Sequence, residues 1–176
     1  MDIYSILKND HEEVKSLLNE LIALDEDDSY RGVLVTQIEQ ALIPHARAEE
    51  SIFYNSIRAL SDQTEVMHSF KEHMEAETLL RGLQFKEGVK MDWKSTAIKL
   101  KDALEHHMRE EEGKIFSEAK KLFSEEDARM MGDAFVSMKK QVANQGFMKN
   151  SFDMIVNMMP PRFVDRIRNL GDVNRS

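Results

Sequence analysis

The residues able to do chemistry in this sequence are six histidines and the acids spaced around them. The histidines are His11, His45, His68, His73, His106 and His107. Four positions after them stand Lys15, Glu49, Glu72, Glu77, Glu110 and Glu111, so five of the six are glutamate. With 19 glutamates in 176 residues, chance supplies fewer than one such pair. Residues i and i+4 share a helix face. Each pair can therefore aim an imidazole nitrogen and a carboxylate at one point, as metal ligation requires.

The elements that position these pairs are helices. Glycine and proline are scarce, at seven and three, and the apolar residues recur with helical spacing throughout. A first helix is expected over about Ile3–Leu24, with Leu7, His11, Val14, Leu18 and Leu21 on one stripe. A second, about Tyr30–Leu60, aligns Val35, Ile38, Leu42, His45, Glu49 and Phe53, and Pro44 is expected to kink it. A third, about Asp62–Gln84, aligns Val66, Phe70, His73, Glu77 and Leu80. A fourth, about Trp93–Phe123, aligns Leu100, Leu104, His107, Glu111 and Ile115. "SDQT" (61–64) reads as a turn and "FKEGVKMD" (85–92) as a loop.

Ser124 is placed to cap a further helix, whose apolar face is Ala128, Met131, Phe135, Met138 and Val142. Beyond it lie a Met-rich piece (147–159) and a basic tail with Arg162, Arg166, Arg168 and Arg175. The expected fold is all-α: an antiparallel up-down-up-down four-helix bundle over residues 1–124, with a C-terminal helical extension (125–176) packed on it.

The stripes sort the pairs. His68/Glu72 and His106/Glu110 fall off the core line and are assigned to solvent. His45/Glu49, His73/Glu77 and His107/Glu111 fall on it, as does His11. One inward histidine is usually a satisfied core residue. Four, one per helix, with three carboxylates, are too costly to bury without compensation. Bound metal supplies it.

Seven donors exceed one tetrahedral zinc, and the absence of cysteine removes sulfur ligation, disulfides and thiolate catalysis. Imidazole and carboxylate around two centres suit a pair of iron ions with bridging carboxylates; manganese or zinc is a less favoured alternative. A ferritin-like bundle would need Glu-x-x-His on two helices. The sequence has one such match, Glu65 to His68, off the core face.

A net charge of −8 disfavours nucleic acid as a partner. The start "MDIYSILKND" is not a secretory signal, and no apolar run reaches the roughly 20 residues that span a bilayer. The expected location is the cytoplasm, as a monomer or homodimer.

The segments "DHEEVKSLL", "LIPHARAEESIFY", "EHMEAETLL" and "LEHHMREEEGKIF" resemble the hemerythrin-like (HHE cation-binding) family over about residues 3–123. Helices two and four also resemble each other, matching Leu42 with Leu104, His45 with His107 and Glu49 with Glu111. The resemblance implies a non-heme di-iron centre with an oxo or hydroxo bridge. It implies Glu49 and Glu111 as bridging carboxylates and His11, His45, His73 and His107 as terminal ligands. Oxygen-carrying members have a further histidine one turn after the helix-three ligand, where this sequence has Glu77. That departure moves the expectation from reversible oxygen carriage towards sensing of oxygen, another diatomic, or iron or redox state. The alternative is a di-iron redox enzyme acting on oxygen, peroxide or nitric oxide. The cysteine pair of the family's iron-centre-repair members has no counterpart. Tyr4, Tyr30, Tyr54 and Trp93 are candidates to lie near a ligand channel, and their spacing does not choose among them.

Overall fold

The computed structural model describes residues 1–61, 64–84 and 92–145. The Met-rich piece, the basic tail and most of the 85–92 loop lie outside the described residues. Among the described residues every regular element is helical. Helix α1 is Ile3–Ala23, started by Asp2, whose carboxylate accepts from the Ser5 amide at 3.0 Å. Rod α2 begins as Arg31–Ala48, widens into a π-helical turn at Glu49–Tyr54 and ends with Asn55–Arg58. Pro44 lies buried inside its first segment and does not end it. Helix α3 is Thr64–Gln84.

Rod α4 repeats the plan of α2: Trp93–Glu110, a π-helical turn at Glu111–Ile115, then Phe116–Leu122. Asp92 caps it by accepting from the Ser95 amide at 3.0 Å. Helix α5, Glu125–Gln145, starts with a reciprocal cap. The Asp127 amide donates to Ser124 Oγ at 3.2 Å, and the Ser124 amide donates to Asp127 Oδ2 at 2.9 Å. None of these helices is long and apolar enough to cross a membrane.

Each of α1–α3 packs on the next helix, and α4 packs back on α1. Helix α5 lies against α1 and α2. Its predicted apolar face is the one used: Ala128, Met131, Phe135 and Met138 are buried and Val142 is packed beside them.

The core is divided. One apolar cluster includes Ile3, Leu7, Phe53, Tyr54, Phe116 and Phe135. The other includes Val14, Leu18, Ile38, Leu42, Leu100 and Leu104. The inward histidines fall between them in every helix that has one: His11 between Leu7 and Val14, His107 between Leu104 and Ile115. A polar layer thus crosses the molecule with an apolar seal on either side.

Candidate metal centre

The polar layer consists of His11, His45, Glu49, His73, His107 and Glu111, all buried, with both carboxylates at 0% exposure. Their ligand atoms form two groups. His11, His45 and Glu49 make one, and Glu49, His73 and His107 make the other, with the ligand atoms within 4.8 Å of one another in each. Glu49 belongs to both. Its Oε2 is 3.7 Å from His45 Nε2, 3.2 Å from His73 Nε2 and 3.9 Å from His107 Nε2. Glu111 Oε2 lies 3.2 Å from His11 Nε2.

Both π-helical turns begin on the two carboxylates, Glu49 and Glu111. The Phe116 amide donates to the Glu111 carbonyl, an i→i+5 bond. A turn of this kind is frequent at functional sites. In these rods it redirects the residues just after each carboxylate. In a regular helix, residue i+5 lies about 140° away from residue i. The wider turn brings Tyr54 round to the side of Glu49 and Phe116 to that of Glu111, and both are buried. The Tyr54 hydroxyl faces Glu49 and Ser69, and its ring stacks on His73 at 5.7 Å between centroids.

Each inward histidine is held from behind by an acid on another helix. Asp10 Oδ2 accepts from His45 Nδ1 at 3.0 Å and Glu50 Oε1 from His73 Nδ1 at 2.9 Å. Glu72 Oε2 accepts from His107 Nδ1 and Glu112 Oε1 from His11 Nδ1, both at 2.9 Å. The acids run in a closed ring: α1 supports α2, α2 supports α3, α3 supports α4, and α4 supports α1. Each is the sequence neighbour of an inward residue: Asp10 of His11, Glu50 of Glu49, Glu72 of His73, Glu112 of Glu111. A neighbour in sequence points about 100° round the helix, which aims it at the next helix instead of the centre.

These bonds hold each Nδ1–H outwards and turn each Nε2 to the centre, where it can ligate a metal ion once it carries no proton. The arrangement suits a cation. His73 Nε2 and His107 Nε2 face each other at 3.1 Å, both turned to the centre. His11 Nε2, both oxygens of Glu49 and both oxygens of Glu111 are fully buried without a well-formed hydrogen bond. Such groups are expensive to bury unless something binds them. Each group is a two-histidine, one-carboxylate set, a donor pattern suited to divalent transition metals.

The protonation of the metal-free layer obeys the same logic. Burial pushes Glu49 well above the ordinary carboxylate range, and Glu111 beside it adds to the effect. Burial would raise Glu111 as well, but His11 holds it well below that range. Burial lowers His11, yet Glu111 and Glu49 outweigh it and raise the imidazole to about 9. His45 is lowered to about 4, first by burial and then by the His11 charge, against the pull of Asp10.

Of the seven predicted donors the structure brings six together and leaves out Glu77. Its carboxylate turns away from the layer, held by Arg47 at 2.7 Å and Arg81 at 2.6 Å. Two guanidinium groups stabilise an exposed-side carboxylate better than a crowded core position would. The supporting acids do not stand out in the sequence as parts of the site. A signal for them is present all the same: each directly adjoins an inward donor. His68 and His106 are about half exposed, as expected, whereas Glu72 is turned mostly inward. Of the four candidate aromatic residues, Tyr54 alone touches the layer directly, through Glu49 and His73.

The model of the hemerythrin HHE cation-binding domain matches residues 2–119, which contain the whole polar layer. The chain belongs to the hemerythrin HHE cation-binding family. A DNA nickase of Nostoc sp. (strain PCC 7120 / SAG 25.82 / UTEX 2576) is 24% identical over 142 residues. That alignment covers 81% of this hemerythrin-like chain but 40% of the nickase, so the chain spans two fifths of that relative's length. No solved structure matches it.

Proposed function

We propose that this hemerythrin-like protein holds two non-heme iron ions and uses them to bind or sense a small diatomic such as O2, or iron or redox state. His11, His45 and Glu49 would hold one ion, and Glu49, His73 and His107 the other, with Glu111 as the second shared carboxylate. One observation carries the reading: four imidazole Nε2 atoms and the Glu49 carboxylate converge in two groups that share Glu49, with the buried Glu111 carboxylate 3.2 Å from His11. When bound, such a pair of ions supplies one-electron redox chemistry and open positions for a diatomic. The chain's own part is to fix each imidazole through its supporting acid, to exclude water with the two apolar clusters, and to keep Glu77 on its arginines. With Glu77 withdrawn, fewer protein donors surround His73 and His107, which favours a site that takes an outside ligand.

The reading includes an antiparallel up-down-up-down arrangement of α1–α4. Its support is the placement of the supporting acids. On α1 and α3 the acid precedes its inward neighbour; on α2 and α4 it comes after. One sense of rotation around the ring requires that alternation if neighbouring helices run in opposite directions. Residues 125–176 would be an extension of this same unit, and the chain a cytoplasmic monomer or homodimer.

The deciding experiment is metal analysis with an absorption spectrum of the protein loaded anaerobically, then exposed to air. About two irons per chain and a ferric band in the visible are expected, both reduced in His107→Ala. A protein that takes up no iron, with His107→Ala indistinguishable from it, ends the proposal.

A second reading, catalysis at the same centre, is favoured by the similarity to an enzyme, the nickase. Most of that protein lies beyond the similarity, and the formal charge of −8 gives this chain no electrostatic attraction to DNA. Oxidation by oxygen, or turnover of peroxide or nitric oxide, is the chemistry that fits. Assays with peroxide and nitric oxide under a reductant separate the readings: binding without turnover supports the first.

A further inference from the structure

Outside the polar layer, the two pairs that fall off the core stripes meet across α3 and α4. His68 Nε2 is 3.4 Å from Glu72 Oε1 and 3.9 Å from Glu110 Oε2. His106 Nε2 is 3.7 Å from the same Glu72 oxygen and 3.8 Å from the same Glu110 oxygen. All four ligand atoms lie within 4.8 Å of one another. Charge-assisted hydrogen bonds would draw such groups to about 2.7–2.9 Å. Zinc bonds of 2.0–2.2 Å instead imply donor separations of roughly 3.3–3.5 Å along the edges of a tetrahedron. The four histidine–carboxylate separations need only a few tenths of an ångström of closure, and the two remaining edges lie within 4.8 Å.

The ring of supporting acids gives an independent reason. Three of the four acids also face a cation on their outer side: Asp10 has Lys139 at 2.6 Å, Glu50 has Arg47 at 3.3 Å and Glu112 has Lys8 at 3.6 Å. Among the described residues, Glu72 has no lysine or arginine partner. In that place stand His68, His106 and a second acid, Glu110. Glu72 is also fixed in position, because its Oε2 accepts from His107 Nδ1 while Oε1 faces outwards. Glu110 is oriented too, its Oε1 towards Lys114 at 3.5 Å and its Oε2 towards the histidines.

We propose that His68, Glu72, His106 and Glu110 form a second, solvent-facing site for a divalent cation of the zinc class. Two histidines and two carboxylates from two helices make a closed tetrahedral set, the pattern of a structural ion. A bound cation completes the outer charge of Glu72 as lysine and arginine do for the other three acids, and it ties α3 to α4 beside the buried layer.

The test uses the full chain, loaded with iron and desalted, then titrated with Co²⁺ as a spectroscopic probe and with Zn²⁺ as competitor. One further equivalent of Co²⁺ is expected, with the intense visible bands of a tetrahedral ion, displaced by Zn²⁺. The double variant His68→Ala/His106→Ala removes two half-exposed side chains, so it is expected to fold, keep its iron and lose that equivalent. Equal Co²⁺ uptake by variant and parent overturns the proposal, as does the absence of tetrahedral bands. Should the buried layer take up no iron, the difference of one Co²⁺ between parent and variant still reads the outer site alone.

Discussion

Glu112 Oε1 lies 2.9 Å from His11 Nδ1, although the two residues are 101 positions apart. This bond closes the ring, because it returns the support from the last helix of the four to the first. Glu112→Ala removes an acceptor that fixes the tautomer and orientation of His11. A loss of metal affinity of about 10–100-fold is expected, with helix content unchanged. Competition with a chelator measures the first and circular dichroism the second. Glu112→Gln, which keeps an accepting oxygen, is expected to lose less.

Stability without metal depends on pH with a sign set by His11. Its folded pKa, about 9, lies above the ordinary value of 6.5. The contribution is therefore complete below about 6.5 and is lost as pH rises through about 9. His45 acts in the opposite direction: lowered to about 4, it must charge as acid is added, so stability falls from about 6.5 down towards 4. Glu49, raised by burial, also loses its contribution as pH rises above the ordinary 4.5 and so offsets His45 between there and about 6.5. Melting of chelator-treated protein from pH 4 to 10 is expected to give a plateau below about 6.5 and a fall above it, and His11→Gln to make that fall shallower. Metal loading at pH 8 is expected to release a proton from His11, seen with a pH indicator.

Glu77 separates a metal ligand from a surface clamp. Glu77→Gln removes the carboxylate that Arg47 and Arg81 share, while Arg47 keeps Glu50 at 3.3 Å, and is expected to cost about 1 kcal/mol while metal content stays the same. Against the upward effect of burial, the two arginines hold Glu77 below the ordinary carboxylate range. Its stabilisation is thus present above about 4.5 and lost as pH falls, so the melting curves of parent and variant are expected to converge in acid. A drop in iron content in Glu77→Gln would return this residue to the centre.

Helix α5 is expected to be part of the fold and not an appendage. Phe135 is fully buried and meets His45 edge-on at 5.7 Å between centroids. Phe135→Ala is expected to cost about 3–5 kcal/mol. Gly132 lets α5 approach the start of α1: a Cβ there would stand 2.5 Å from the Met1 carbonyl oxygen and 3.2 Å from the Asp2 carbonyl carbon. Gly132→Ala is expected to destabilise by about 1–3 kcal/mol despite the better helix propensity of alanine. Urea titration of both variants checks this; an unchanged midpoint would detach α5 from the core.

Periodicity makes the inward donors legible because His11, His45, His73 and His107 each fall in line with leucines or valines that must be buried. The ends of α1, α3 and α4 are legible within a residue or two for the same reason. The place of Tyr54 is not, because its burial depends on a wide turn that regular spacing does not contain. The supporting acids look like solvated residues, since they sit a hundred degrees off each stripe and their partners lie on other helices. Glu77 reads as a ligand because a stripe considered alone cannot reveal Arg47, thirty positions earlier. Arg81, one turn after Glu77, is the local sign that this carboxylate has another use.

The wide turns in α2 and α4 also separate chain length from bearing. Each holds one residue more than a regular helix needs over the same arc, and the rod beyond it faces nearly as it would without that residue. Deleting one codon inside 49–54 or 111–115 would let the backbone close into regular hydrogen bonding and leave Tyr54, or Phe116, four positions after its carboxylate, on the same face. A codon lost from a regular stretch of either rod has no such slack and swings everything downstream by about 100°; the two wide turns are where heredity can drop a letter and keep the phase.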